Sequence, residues 1–228
     1  MEKRMHIVVL SGAGMSAESG IQTFRDSNGL WANFSIEEVC TPEAWMRDPG
    51  KVLDFYNYRR REVMRAEPND GHRIIAGLED RFKVSVITQN IDDLHERAGS
   101  ASVLHLHGEI RKARGTLDNE LYDIEGTELN LGDKCPRGSQ LRPHVVFFGE
   151  EVPMLPKAAA VCALADQLLI VGTSLTVYPA ASLVQYVPVD CPVTVVDPRA
   201  DEVPGGDGYD LIAEKAAAGL RIFEERIG

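Results

Sequence analysis

Several things are scarce in this sequence. Aromatic residues are 7% of it, with two tryptophans. No apolar run approaches the ~20 residues that span a bilayer as a helix, so no membrane partner is expected. Basic residues are in deficit: 24 Lys and Arg face 35 Asp and Glu, a net charge of −11. A phosphate backbone is gripped by clustered Lys and Arg, so nucleic acid is not an expected partner either. The four cysteines, Cys40, Cys135, Cys162 and Cys191, lie far apart and form no CxxC pair. Closely spaced pairs are what a thiolate metal site or a disulfide frame requires. The N-terminal apolar run HIVVL is too short for a secretory signal core and leads straight into glycines. The expected setting is the cytoplasm, with reduced thiols.

What is present is alternation. Short β-branched runs at 6–10 (HIVVL), 84–88 (VSVIT), 145–148 (VVFF), 168–172 (LLIVG) and 193–197 (VTVVD) read as buried parallel strands. Helical patterns at 156–166 and 179–187 separate the last three. A helix over roughly 207–219 and a short RIFEER strand are expected to close the chain. Such alternation predicts an α/β fold, a doubly wound, Rossmann-like parallel sheet. Residues 31–81 are helix-rich, and 109–142 are polar and glycine-containing. A stretch this long without regular pattern is usually a functional segment or a small lobe. The expected organisation is a nucleotide-binding domain of 1–30, 82–108 and 143–228, with a smaller lobe made of the two insertions 31–81 and 109–142.

Gly12-Ala13-Gly14-Met15-Ser16-Ala17 matches G-x-G-x-x-[GA] directly after a strand, the context for a diphosphate at a helix N-terminus. A tight strand-to-helix turn without ligand is the plain alternative. A dinucleotide dehydrogenase also needs an acid about 20 positions on, ending a second strand. Here Glu37 and Glu38 fall in NFSIEEVC, which reads as a helix, so hydride transfer is disfavoured. Asp197 does end a late strand, where it could accept from a ribose or cap the next turn.

GAGMSAESGIQTFRDSNGLW, TQNIDDLHERAG (88–99), HLHGE (105–109), LRPHVVFFGE (141–150) and GTSLTVYPA (172–180) together resemble the sirtuins, NAD-dependent protein-lysine deacylases. The resemblance implies NAD as cofactor and acylated-lysine proteins as substrates. The products would be nicotinamide, acyl-ADP-ribose and free lysine. It assigns the diphosphate cradle to Gly12, Ala13, Gly14 and Ala17, and a covering cofactor loop to Phe24 and Arg25. Gln89 would contact ribose, while Asn90 and Asp92 would pair with the carboxamide. An Asx turn with Asp92 capping the next helix is the alternative for that segment. His107, the histidine before glycine, would be the general base, a role that suits a neutral imidazole near pH ~7. His105, two residues away, is its competitor. Val146, Phe148 and Gly149 would receive the peptide by strand addition. Gly172, Thr173 and Ser174 would face the adenosine side, with Asp197 where the family often has asparagine.

Tyr56 and Arg59 are three apart and share a helix face. A phenol and a guanidinium fork form a fit receptor for a carboxylate. The spacing resembles the class III sirtuins, which remove succinyl and malonyl groups, and Ala17 matches a small residue that keeps the acyl pocket roomy. The alternative is an aromatic inner face with a solvated Arg59-Arg60-Arg61 run. Two departures stand out. Where the family's four zinc cysteines would fall, this chain has Gly115, Asp118, Cys135 and Gly138, so no zinc is expected. Leu117, Leu121, Tyr122, Ile124, Leu129 and Leu131 are then the candidate core of the lobe. Gln22 also stands where proline is usual. An ADP-ribosyltransferase or a non-catalytic NAD sensor are the competing activities.

Overall fold

The computed structural model describes residues 4–23, 34–205 and 208–228. The chain opens with β1 (His6–Ser11), buried throughout, and a single helical turn, α1 (Gly14–Ala17). Three helices follow: α2 (Ile36–Val39), α3 (Pro42–Arg47) and α4 (Pro49–Arg65). Their starts are set locally. Thr41 Oγ1 accepts from the amide of Ala44, Asp48 Oδ1 from that of Lys51, and Pro42 and Pro49 follow these caps where a missing N–H costs nothing. Next come α5 (Asp70–Gly77), β2 (Lys83–Thr88), α6 (Leu94–Ala98) and β3 (Val103–His105). β4 (Gly108–Gly115), β5 (Leu121–Asp123) and β6 (Leu141–Val145) precede α7 (Leu155–Cys162) and β7 (Gln167–Val171). β8 (Val193–Val196), β9 (Asp210–Ile212) and α8 (Ala216–Ile227) end the chain.

Six strands form one sheet in the order β3-β2-β1-β7-β8-β9, every neighbour parallel. This is the doubly wound order, and it reverses between β1 and β7. Alternate residues serve opposite layers. Val8, Leu10, Leu168 and Ile170 pack with Ala158 and Cys162 of α7 on one face. Ile7, Val9, Val86 and Leu169 pack with Ile75 and with Leu220 and Phe223 of α8 on the other. Each buried Val, Leu, Ile or Phe among them contributes about 1.5–3 kcal/mol. Register aligns the strand ends: Ser11 lies opposite both Thr88 and Val171, and Val171 opposite Val196. Their following loops therefore emerge side by side.

A second sheet, β5-β4-β6, is antiparallel. It packs on α4 through Leu53, Ala113, Ile124 and Leu129. Arg60, fully buried, ties the helix to it, donating from Nε to the Ile110 carbonyl and from Nη1 to Asn57 Oδ1 and the Thr127 carbonyl. The arginine run is thus not a solvated face: Arg59 and Arg60 are buried, and Arg61 pairs with Glu128.

Four expectations need correction. The VVFF run is not a strand of the parallel sheet; Val145 ends antiparallel β6, and 146–148 continue as a loop held by other bonds. RIFEER is helical, because Ala216, Leu220 and Phe223 recur at helical spacing and bury one stripe, and the helix expected over roughly 207–219 begins only at Ala216, after the closing strand Asp210–Ile212. The 179–187 pattern folds as 3₁₀ turns over Ala180–Tyr186. In the small lobe Ile124 and Leu129 are core, but Leu117, Leu121 and Leu131 are exposed and Tyr122 is half-buried. Among the described residues no helix is long and apolar enough to cross a membrane.

Under the switch point two histidines meet. His72 of α5 and His95 of α6 stand edge to face, 4.9 Å between centroids, and both are buried. Burial pushes His72 down to about 4 and His95 well below the ordinary histidine value. Unfolded, each titrates near ~6.5, so below that the unfolded chain binds more protons than the folded one. The stability they confer is complete above pH ~6.5 and is lost as pH falls toward His72's folded value. Urea unfolding should show a falling midpoint over that window, and His72→Gln should flatten the fall. A midpoint independent of pH there would overturn the assignment.

Candidate active site at the switch point

The loops after β1 and β7 meet backbone to backbone. The amide of Gly12 donates to the Val171 carbonyl at 3.0 Å and that of Gly14 to the Gly172 carbonyl at 2.9 Å. A Cβ on Gly12 would sit 2.7 Å from Thr173 Cβ, and one on Gly14 2.8 Å from Gly172 Cα. Gly172 has φ +62°, and a Cβ there would collide with the Met15 amide. Glycine is therefore required on both sides of this contact for packing alone. Ala13 is the N-cap of α1, and Ala17 is exposed at its end.

The loop after β2 joins them. Gln89 Nε2 donates to Thr173 Oγ1 at 3.1 Å, bridging to the β7 loop. Asn90 Nδ2 donates to the Gly12 carbonyl at 3.1 Å and to Ser16 Oγ at 3.0 Å, and Ser16 Oγ donates to Asp92 Oδ2 at 3.0 Å. Asn90, Asp92 and Ser16 are all buried. Burial raises the Asp92 carboxyl, against the lowering pull of the Ser16 and Leu94 hydrogen bonds. Asp92 Oδ1 also accepts from the Leu94 amide, the turn bond of the alternative reading, although the cap residue of α6 is Asp93. Ser16 was missed by sequence reasoning. Its signal was its place inside the glycine motif, where only glycines and alanines had been given roles.

His107 lies between this loop and the next. Its Nδ1–H donates to the Gln89 carbonyl at 3.0 Å, which fixes the tautomer and leaves the Nε2 lone pair as the basic site. Among the described residues no partner for Nε2 is recorded. Burial lowers its pKa, opposed by the Gln89 bond, so the ring is neutral near pH ~7. Its own carbonyl accepts from the Val146 amide at 2.9 Å.

Loop 146–149 is held by three of its amides: Val146 on His107, Phe147 on Glu150 Oε2 at 2.8 Å, and Phe148 on the Cys40 carbonyl at 2.8 Å. Glu150 is itself clamped by Arg114 and Arg142. An incoming strand would therefore not be met by these donors. Gly149 turns the loop at φ +90°. Val146 is half-buried and Phe148 exposed, whereas Phe147 is buried and stacks on Tyr56, 5.9 Å between centroids.

Tyr56 and Arg59 do lie on one face of α4. The Tyr56 hydroxyl donates to Cys40 Sγ at 3.4 Å, and Arg59 Nη1 reaches the Gln22 carbonyl at 3.5 Å and Glu62 Oε2 at 3.3 Å. Burial holds the Cys40 thiol up at about 11, so it stays protonated. Cys40 is the residue that meets the Tyr56 hydroxyl, and nothing in its sequence context singled it out. On the far side, Ser174 Oγ bonds Thr176 Oγ1 at 2.8 Å, and Asp197 Oδ1 accepts from the Arg199 amide at 2.9 Å, the turn-capping alternative. Phe24 and Arg25 lie outside the described residues. Where the family's zinc cysteines would fall, Cys135 Sγ meets Asp118 Oδ2 at 3.5 Å and Ser139 Oγ at 3.1 Å. One thiol and one carboxylate do not make a closed zinc set, and among the described residues no metal-binding group of His, Cys, Asp and Glu occurs.

The Sir2 family model matches residues 12–179. The chain belongs to the Sir2 family. Among similar sirtuins, an NAD-dependent protein deacylase of Bacteroides thetaiotaomicron is 47% identical, covering 96% of this chain and 97% of that one. One of Helicobacter pylori is 48% identical, covering 95% and 94%. A Sir2 homolog–NAD complex superposes with TM-score 0.88 at 39% identity, over 99% of this chain and 91% of that one. A mutant Sir2 homologue bound to ADP-ribose gives 0.89 at 38%, over 98% and 94%. The sirtuin cofactor is NAD, and these loops suit it: a backbone cradle with no room for Cβ, beside a buried carboxylate and amide.

If close approach as well as φ demands glycine, Gly172→Ala should lose about 2–4 kcal/mol. Gly20→Ala, at φ +83° with nothing within 4 Å, should lose about 1 kcal/mol. Equal losses by urea unfolding would remove the packing argument.

Proposed function

We propose that the NAD-dependent protein deacylation of this sirtuin is directed at lysines carrying acidic acyl groups, succinyl or malonyl, with acetyl a lesser substrate. The observation that carries the reading is the placement of His107. Its side chain is bonded to the loop of Gln89, Asn90 and Asp92, and its carbonyl holds the loop of Val146 and Phe148. A base there can serve a reaction between a cofactor on one side and an acyl-lysine on the other.

When bound, NAD supplies an activated bond between nicotinamide and ribose, and the sugar that takes the acyl group. Gly12, Ala13 and Gly14 would face its diphosphate, Gln89 and Asp197 its riboses, Asn90 and Asp92 its carboxamide, and Thr173 and Ser174 its adenosine side. Protonated at its raised pKa or ionised, Asp92 can pair with an amide, which both donates and accepts. His107 accepts a proton at Nε2, and its Nδ1 bond to Gln89 steadies the imidazolium that results. Tyr56 and Arg59 would receive the acyl carboxylate. Both are buried, Tyr56 beside the 146–149 loop through Phe147 and Cys40, where a guanidinium–carboxylate bond is little screened.

Mass spectrometry of succinyl-lysine and acetyl-lysine peptides, with and without NAD, tests this. Wild type should remove succinyl only with NAD. His107→Ala should lose about 10²–10⁴-fold in rate. Arg59→Met should lose about 10–100-fold on succinyl and little on acetyl, the value of one charge-assisted bond. Removal of acetyl alone would reject the acidic pocket while keeping deacylation. NAD consumption without loss of either acyl group would favour ADP-ribosyl transfer.

A further inference from the structure

His105 ends β3, Leu106 turns into the core, and His107 follows, so the two histidines point the same way. They reach successive carbonyls: His107 Nδ1 that of Gln89, His105 Nδ1 that of Asn90, each at 3.0 Å. What separates them is the other ring nitrogen. His105 Nε2 lies 2.7 Å from Glu96 Oε1 of α6. A carbonyl and a carboxylate only accept, so both nitrogens of His105 must donate, and the ring is an imidazolium. One histidine of the pair has already spent its basic site, and the other has kept it.

We propose that His105, charged against Glu96, is a positioning residue that aims the Asn90–Asp92 loop at the nicotinamide end of the cofactor. The inference rests on the assignment of that loop under the proposed function. The mechanical link is short. The Asn90 carbonyl is held by His105 while its side chain holds Gly12 and Ser16, and Ser16 holds Asp92.

The surroundings agree. Burial alone would lower His105, but its bond and charge attraction to Glu96, the Asn90 bond and the charge of Glu109 raise it. The groups that face it are Glu96 and His95 from α6, Glu109 from β4, and Asp92 from the β2 loop; Lys112 acts in turn on Glu96. Neutral His105 carries one proton for two acceptors. On Nδ1, it leaves a lone pair against the Glu96 carboxylate; on Nε2, a lone pair against the Asn90 carbonyl. Either way one contact turns repulsive, so deprotonation loosens the loop. Glutamine at 96 could donate to the bare Nε2 and satisfy the neutral ring.

The test is calorimetric binding of NAD and of ADP-ribose to the full chain, from about pH 6 to about pH 9. Wild-type NAD affinity should fall on the alkaline side. Glu96→Gln should abolish that fall. His105→Ala should weaken NAD about tenfold on the acidic side, with a flat profile that approaches wild type on the alkaline side, and weaken ADP-ribose less than about threefold, an effect worth one charge-assisted bond. A flat wild-type profile, an alkaline fall that survives Glu96→Gln, or equal loss of both ligands in His105→Ala would overturn the proposal. Asp92→Ala separates the two layers of inference: unchanged NAD affinity there would sink the nicotinamide assignment itself, and the proposal with it.

Discussion

Everything at this site depends on one close approach, that of the Gly12–Gly14 backbone to Gly172. Two loops leave adjacent parallel strands at the point where the strand order reverses. They can touch only because neither side carries a Cβ. The contact brings Thr173 within reach of Gln89 and puts the Gly12 carbonyl where Asn90 can bond it. From there the network runs through Ser16 to Asp92 and through Gln89 to His107. A doubly wound sheet offers a crevice at this position by topology. Here three glycines and one serine turn that crevice into a set of oriented polar groups.

The second sheet acts on the site from the other side. Glu150, gripped by Arg114 and Arg142, holds the Phe147 amide, and Phe147 stacks on Tyr56. The buried Arg60 fastens α4 to the same sheet, and burial lowers its pKa to about 10, still charged near neutrality. Charged groups removed from water are costly unless fully bonded. Their concentration around α4 ties that helix to the second sheet and to the 146–149 loop.

Much of this was legible in the chain. The all-apolar runs announced parallel strands covered on both faces, and the glycine spacing marked the first loop. The TQNID, HLHGE and GTS segments named the residues that the fold then assembled. The misreadings share a cause. VVFF has strand composition, yet two of its amides are taken by His107 and Cys40, partners distant in sequence, and a third by the nearby Glu150. RIFEER was judged on six residues, too few to display the helical stripe that begins at Ala216. The apolar residues of the small lobe all read as candidate core, but a three-stranded sheet with one covered face can bury only some of them.

The sequence by itself determined the alternation of strand and helix, the family, and the candidate base, because local patterns and motifs carry those. The tertiary structure decided which histidine keeps a ring lone pair without a partner among the described residues. His105 and His107 are two residues apart and chemically identical. Only the folded chain puts the Glu96 carboxylate on one and leaves the other a single carbonyl. A proton follows its nearest acceptors, and those acceptors come from the loop after β2 and from α6, which no spacing within HLHGE reveals.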